Sequence, residues 1–255
     1  MKRSKLLRIV PAVLAAAAIC SAACAQTAQT VGWSNGSETV HGVLYLPSGH
    51  GPHPALVVIH EWWGLTDWVK EQAQDFARQG YVALAVDLYG GQVTNNPQTA
   101  SQLMRGLSQQ RSVDTLTGAV GFLSRRTDVD PHRIGAIGWC MGGGFAAQLA
   151  IADPELRAVV INYGELPTDR AALERIHAAV LGNFGGLDRG ITPDDVHAFA
   201  DSMHALGKTI DVKIYPDAPH AFQNPNNKNG YRPADTANAK ERERKFLAQT
   251  LKPGM

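Results

Sequence analysis

The sequence has almost no surplus of charge. In 255 residues, 24 Lys and Arg stand against 23 Asp and Glu, a formal +1 at pH 7. There is no basic excess to drive nucleic-acid binding and no block of five or six like charges. Cysteine is scarce: three residues cannot make a disulfide framework. No internal repeat, linker or composition break follows residue 30. What is present, 44% hydrophobic and 18% charged residues with 25 Gly and 14 Pro, is ordinary globular composition. It argues against a collagen-like, disordered or membrane-bundle chain and fits one α/β domain.

The first 25 residues read as an address. Lys2, Arg3, Lys5 and Arg8 precede an apolar run over 9–19, and Ala23-Cys24-Ala25 supplies small residues before Gln26. A basic start, a short apolar middle and an A-x-A end make a secretory signal peptide, with cleavage expected after Ala25. A membrane anchor is the weaker reading, because 9–25 contains Pro11 and Ser21 and, at 17 residues, sits at the bottom of the range of roughly 17–25 that spans a bilayer. Export implies a periplasmic or secreted protein of residues 26–255, with no stable membrane association. Cys20 and Cys24 leave with the leader, so Cys140 becomes a solitary thiol. Structural cysteines in oxidising compartments normally come in pairs.

Strands and helices alternate along the mature chain. Residues 37–47 suggest an extended antiparallel edge, and Ala55-Leu56-Val57-Val58-Ile59 a strand buried on both faces. Apolar spacing predicts a helix over 67–79, stopped by Gly80, then a strand over 81–86. A loop plus helix follows over 90–111, and Val113, Leu116, Val120 and Leu123 mark another helix. Strands are expected at 133–137, 158–163, 178–184 and 209–215. Helices are expected at 141–153, after Thr192-Pro193, and over 237–251. Such alternation calls for a mainly parallel central sheet with helices on both faces.

In these sheets reactive groups gather beyond the carboxyl ends of the strands. Four segments lie there. Gly138-Trp139-Cys140-Met141-Gly142 joins a strand to a helix, and glycines on either side suit a sharp turn that holds Cys140 proud of the sheet at a helix N-terminus. His220, on the loop stiffened by Pro216 and Pro219 after the last strand, is placed to be a general base. Asp188, after the 178–184 strand, could orient the imidazole, with Asp217 the alternative acid. Cys140, Asp188, His220 is the nucleophile-acid-base order of the α/β-hydrolase fold. The fourth segment, His60-Glu61-Trp62-Trp63-Gly64, occupies the loop that supplies the second oxyanion-hole donor, making the backbone N–H groups of Trp62 and Met141 the candidate pair. Glu61 is unusual there, since a carboxylate beside a thiol repels thiolate or accepts its proton. Trp63, Trp139 and Phe222 are candidate aromatic walls of a substrate pocket.

The mature chain resembles the dienelactone hydrolases, the Cys-dependent branch of the α/β-hydrolases, over most of residues 37–251. The likeness rests on His60-Glu61-Trp62-Trp63-Gly64, Asp87-Leu88-Tyr89-Gly90-Gly91, Gly138-Trp139-Cys140-Met141-Gly142-Gly143, Tyr163-Gly164, Gly185-Gly186-Leu187-Asp188 and Pro219-His220-Ala221-Phe222. The resemblance implies Cys140 as nucleophile, His220 as base, Asp188 as its partner, and Glu61 as the glutamate that restrains the resting cysteine. It implies hydrolytic opening of an enol-lactone through an acyl-thioester, with no metal or cofactor and a small-molecule ester or lactone as substrate. Relatives hold a substrate carboxylate with arginines at two places where this chain has Asn224 and Gly90-Gly91. Arg105, Arg111 and Arg189 are the alternatives for that task. A general Cys-dependent esterase or thioesterase is the near rival, and a non-catalytic ligand-binding protein the distant one.

Overall fold

A computed structural model describes residues 28–36 and 38–252, so the expected leader over 1–25 lies outside the described residues. Apolar runs of five to seven residues build the middle of one sheet: β3 (His53–Ile59), β4 (Val82–Val86), β5 (Val129–Trp139), β6 (Ala158–Asn162) and β7 (Ala179–Gly185). With β1 (Gln29–Asn35), β2 (Glu38–Tyr45) and β8 (Ile210–Tyr215), they form eight strands in the order β1-β2-β4-β3-β5-β6-β7-β8. Strands β3 to β8 run parallel, and β2 pairs antiparallel with both β1 and β4.

The two-residue period of a strand sends successive side chains to opposite faces. Val57 and Ile59 of β3, with Leu84 and Val86 of β4, pack on α3 (Gln109–Ser124), α4 (Met141–Ala152) and α6 (Pro193–Ala205) through Leu116, Ala146 and Phe199. Leu56, Val58, Ala83 and Ala85 face the other way, against Val69 and Phe76 of α1 (Asp67–Arg78) and Leu247 of α7 (Pro233–Leu251). Two short helices complete the chain, α2 (Pro97–Gly106) and α5 (Arg170–Glu174). The expected α/β architecture, a mainly parallel sheet covered on both faces, is what the chain adopts. No helix among the described residues is long and apolar enough to cross a membrane.

Helix starts follow local chemistry. Asn96 Oδ1 accepts the N–H groups of Gln98 and Thr99 at 2.9 and 3.1 Å, and Pro97 opens α2. Thr192 and Asp195 form a reciprocal capping box ahead of α6.

The sheet edge differs from expectation. The 37–47 segment is not the sheet edge, because β1 folds back on β2 with Gln29 opposite Leu44 and Asn35 opposite Glu38. The hairpin is anchored by Trp33, whose indole N–H donates to the Thr115 carbonyl of α3 at 2.9 Å. Trp33 is the only buried residue of β1. Trp33→Ala should therefore lower unfolding free energy by about 3–5 kcal/mol. Trp33→Phe should cost only about 1–2 kcal/mol, as it removes mainly the hydrogen bond. Urea denaturation measures both; equal losses would mean that ring packing is not what holds the hairpin.

Candidate active site

The ends of β3, β5, β7 and β8 deliver Glu61, Cys140, Asp188 and His220 to one side of the sheet. Cys140 follows β5 and immediately precedes α4, with φ 54° and ψ −121°. A non-glycine residue in this region is strained by about 1–3 kcal/mol unless its surroundings over-determine it. They do. A side chain at Gly138 would collide with the Gly142 carbonyl, and one at Gly142 with the carbonyls of Ile59 and His60. The Cys140 N–H donates to the Asn162 carbonyl of β6 at 3.0 Å, and its carbonyl accepts from Gly143 and Gly144 at 3.0 and 3.2 Å. Backbone strain recurs at Tyr163 (φ 40°) and Ala221 (φ 56°), the only other non-glycine residues with positive φ among those described. Tyr163 packs its ring edge-on to His220 at 5.3 Å, and Ala221 follows His220 in the chain.

The His220 Nδ1 lies 2.6 Å from Asp188 Oδ2, with the carboxylate side chain 3% and the imidazole 39% exposed. The other Asp188 oxygen accepts the N–H groups of Gly190 and Ile191 at 2.9 and 3.2 Å. Burial pushes the Asp188 carboxyl upward, but the His220 bond and charge, with those two amides, outweigh it and hold the group below its ordinary value. Burial likewise pulls His220 down. Its hydrogen bond to Asp188, the nearby Cys140 side chain and the charges on both reverse this and carry the imidazole up to about 10. The loops bearing Asp188 and His220 are tied directly together: Gly186 N–H donates to the Tyr215 carbonyl at 2.7 Å and Leu187 N–H to that of Ala218 at 3.0 Å.

Glu61, Trp62, Trp63, Met104, Cys140 and His220 line a cavity of about 790 Å³ that also meets the 224–229 loop. Glu61 is buried. The Asn224 amide donates to its Oε2 at 2.6 Å, while Oε1 has no partner. Burial raises the Glu61 carboxyl from 4.5 to about 7 against the lowering effects of Asn224 and His220. Trp63 lies on the cavity, as expected. Trp139 and Phe222, expected as cavity walls, do not line it. Trp139 is buried against Trp68, its indole donating to Gln223 at 3.1 Å, and Phe222 packs between Tyr163 and Tyr215. Both flank an outward-turned residue, and the chain geometry that projects Cys140 or His220 sends them into the core.

Arg105, Arg111 and Arg189 are not among the lining residues, and Arg111 pairs with Glu38. Lys228 is the one Lys or Arg on the cavity wall among the described residues. No group of three or more His, Cys, Asp or Glu among the described residues could hold a metal ion. Two polar contacts have no signal in the sequence. Asn224 reaches Glu61 across 163 positions, with no local signal. His60 stands in the quoted motif but carries no role from its spacing; it is fully buried and bonded to both Glu61 and Leu88.

The Glu61 shift has a consequence for stability. Its folded value lies above its free-chain value, so the native state holds the proton more tightly between pH 4.5 and about 7. Stability present at the acid end of that window is lost as pH rises through it. Glu243, buried in α7 and also raised to about 7 mainly by burial, acts with the same sign. Glu61→Gln should flatten, without abolishing, the fall in urea midpoint between pH 5 and pH 8, by roughly 1–3 kcal/mol. Identical slopes in the two proteins would show that Glu61 does not titrate there.

Residues 40–251 match the dienelactone hydrolase family. A protein of Methylorubrum extorquens named "Putative carboxymethylenebutenolidase" is 32% identical over 191 residues, covering 69% of this chain and 66% of that protein. One of the same name from Aquifex aeolicus is 30% identical over 231 residues, covering 88% of this chain and 99% of its own. The crystal structure of a dienelactone hydrolase-like promiscuous phosphotriesterase from metagenomic libraries superposes with a TM-score of 0.82 at 25% identity, over 88% of this chain and 98% of that one. The eight-stranded sheet, the residues at its carboxyl edge and these likenesses agree: the chain belongs to the dienelactone hydrolase family and is a carboxylic ester hydrolase of the α/β-hydrolase fold.

Proposed function

We propose that the chain opens an enol-lactone or cleaves an activated carboxylic ester through Cys140, His220 and Asp188. The observation that carries this reading is an imidazole held by the Asp188 carboxylate at 2.6 Å on the wall of the cavity that Cys140 also lines. Asp188 accepts from Nδ1–H and so leaves the other ring nitrogen to the sulfur.

With its proton already taken up by His220, Cys140 Sγ bonds to the ester carbonyl carbon, and the carbonyl electrons move onto oxygen. The backbone N–H groups of Trp62 and Met141 receive that oxyanion; Met141 is the first residue of α4, where an N–H has no intrahelical partner. The electrons return, the C–O bond breaks, and the leaving oxygen takes the proton from His220. Water then attacks the acyl-thioester, giving a proton to His220, and the thiol departs and recovers it. Products are the carboxylic acid and the alcohol, or the ring-opened acid from a lactone. A ring whose affinity for the proton is raised by Asp188 keeps it at hand between these transfers.

Glu61 shares the cavity with the sulfur and, in this reading, restrains it until substrate enters. The basic start, apolar run and Ala23-Cys24-Ala25 support export of the enzyme before it acts.

Turnover of p-nitrophenyl acetate should fall by roughly 10⁴-fold or more in Cys140→Ala. Asp188→Asn should lose about 10²–10⁴-fold, with thermal unfolding monitored to show that both proteins are folded. Quenched wild-type reactions should carry an acetyl mass increment on the peptide containing Cys140. Undiminished turnover in folded Cys140→Ala overturns the assignment.

A further inference from the structure

His60 is completely buried at the end of β3, and both of its ring nitrogens are committed. The Leu88 N–H points at Nε2 from 3.1 Å. A backbone N–H can only donate, so Nε2 must accept and the ring proton must sit on Nδ1. Nδ1–H therefore donates to the Glu61 carbonyl oxygen, 2.6 Å away. The Tyr89 ring closes edge-on over the imidazole at 5.0 Å. Burial pulls the ring's affinity for a second proton down, in keeping with a neutral tautomer locked from both sides.

The Glu61 carbonyl is not an isolated group. It shares one planar peptide unit with the Trp62 N–H, and in a trans peptide the two bonds point in opposite directions. Whatever holds the carbonyl also aims the amide. The carbonyl has two donors: the Gly64 N–H at 3.2 Å, from the turn that follows, and His60 at 2.6 Å, from the rigid end of the strand. Of these, only His60 refers the peptide to the sheet, because Leu88 fixes its ring to the end of β4. The same loop then reaches the elbow, where the Tyr89 hydroxyl donates to the Met141 sulfur at 3.3 Å.

We infer that His60 is a positioning residue for the oxyanion site, setting the direction of the Trp62 N–H through the Glu61–Trp62 peptide plane. The inference rests on the hydrolase reading above, in which that N–H receives the developing negative charge. His60 touches no reacting atom in this role. Its effect belongs to acyl transfer, where a carbonyl oxygen becomes an anion, and not to reactions of the sulfur that generate no oxyanion.

That difference supplies the test. Cys140 can be alkylated by iodoacetamide, a displacement at a saturated carbon with no tetrahedral intermediate. It can also be turned over on p-nitrophenyl acetate, which passes through one. His60→Phe keeps a ring against Tyr89 and removes both nitrogens. It should lower kcat/KM for the ester by about 10–100-fold, because a donor misplaced by an ångström costs up to ~10²-fold. The loss should fall on kcat, with KM within about threefold, while the iodoacetamide rate stays within about threefold of wild type. His60→Gln and His60→Asn retain a side-chain amide able to donate to the carbonyl, and at least one should recover most of the ester rate. Parallel losses of alkylation and ester turnover would assign His60 to holding the thiol and overturn the inference. A folded His60→Phe with unchanged ester turnover would do the same, and so would failure of all three variants to fold, which would make His60 a residue of the fold alone. If the wild type turns over no ester although iodoacetamide labels Cys140, the hydrolase reading itself fails and the positioning role goes with it.

Discussion

The close approach of three backbones around Cys140 is the constraint on which the site depends. The start of α4 lies against the ends of β3 and β6 so tightly that Gly138, Gly142 and Gly143 have no room for a side chain. This packing over-determines the turn, which is why a cysteine can be kept at φ 54°. It also fixes the neighbourhood of the sulfur. Because β5 lies between β3 and β6, the loops after those strands are the ones that reach the elbow. They bring Glu61 and Trp62 from one side and Tyr163 from the other. Further along the sheet, β7 and β8 are adjacent and parallel, so their following loops can exchange the hydrogen bonds that set Asp188 against His220.

The electrostatics of the site come from unequal treatment of two carboxylates. Asp188 is buried yet fully supplied: one oxygen faces His220 and the other takes two backbone amides, so it remains charged. Glu61 is buried more completely and receives a single amide hydrogen from Asn224, with its second oxygen unpartnered. Desolvation then wins, and the group approaches neutrality near pH 7. One carboxyl held below its ordinary value by its partners and another raised by burial thus both lie in the field of one imidazole. Tyr163 is shifted in the same direction: burial, with the charges of Glu61, Cys140 and Glu243 adding to it, keeps its hydroxyl protonated.

Much of this was legible in the sequence, because the strongest signals are those that burial writes most plainly. Continuous apolar runs bounded by glycine or proline marked β3, β4, β6 and β7, and the chain order of Cys140, Asp188 and His220 followed from which strand each residue succeeds. Strand β1 was not legible: Gln29, Thr30 and Ser34 are exposed, Gly32 contributes no side chain, and a single Trp33 makes no pattern. Trp139 and Phe222 were misplaced for a different reason. Aromatic residues beside a reactive one read equally as wall or core, and only the strained turns at Cys140 and Ala221 decide which way each neighbour faces. The links Asn224–Glu61 and His60–Leu88 join residues far apart in sequence, and no local periodicity encodes them.

The cavity's charge balance follows from the same long-range geometry. The position held here by Asn224 is one where a longer cationic side chain would neutralise Glu61 outright. An amide offers one hydrogen bond and no charge, so desolvation of Glu61 stays largely uncompensated. The three arginines that were alternatives for binding a carboxylate do not repair this: Arg111 is committed to Glu38 on β2, and neither Arg105 nor Arg189 reaches the cavity wall. Lys228, exposed on the 224–229 loop, acts at the rim, where water screens it, rather than at the buried carboxyl. With an amide rather than a cation beside it, the Glu61 carboxyl is raised to about 7, so burial and not an ion pair sets its state.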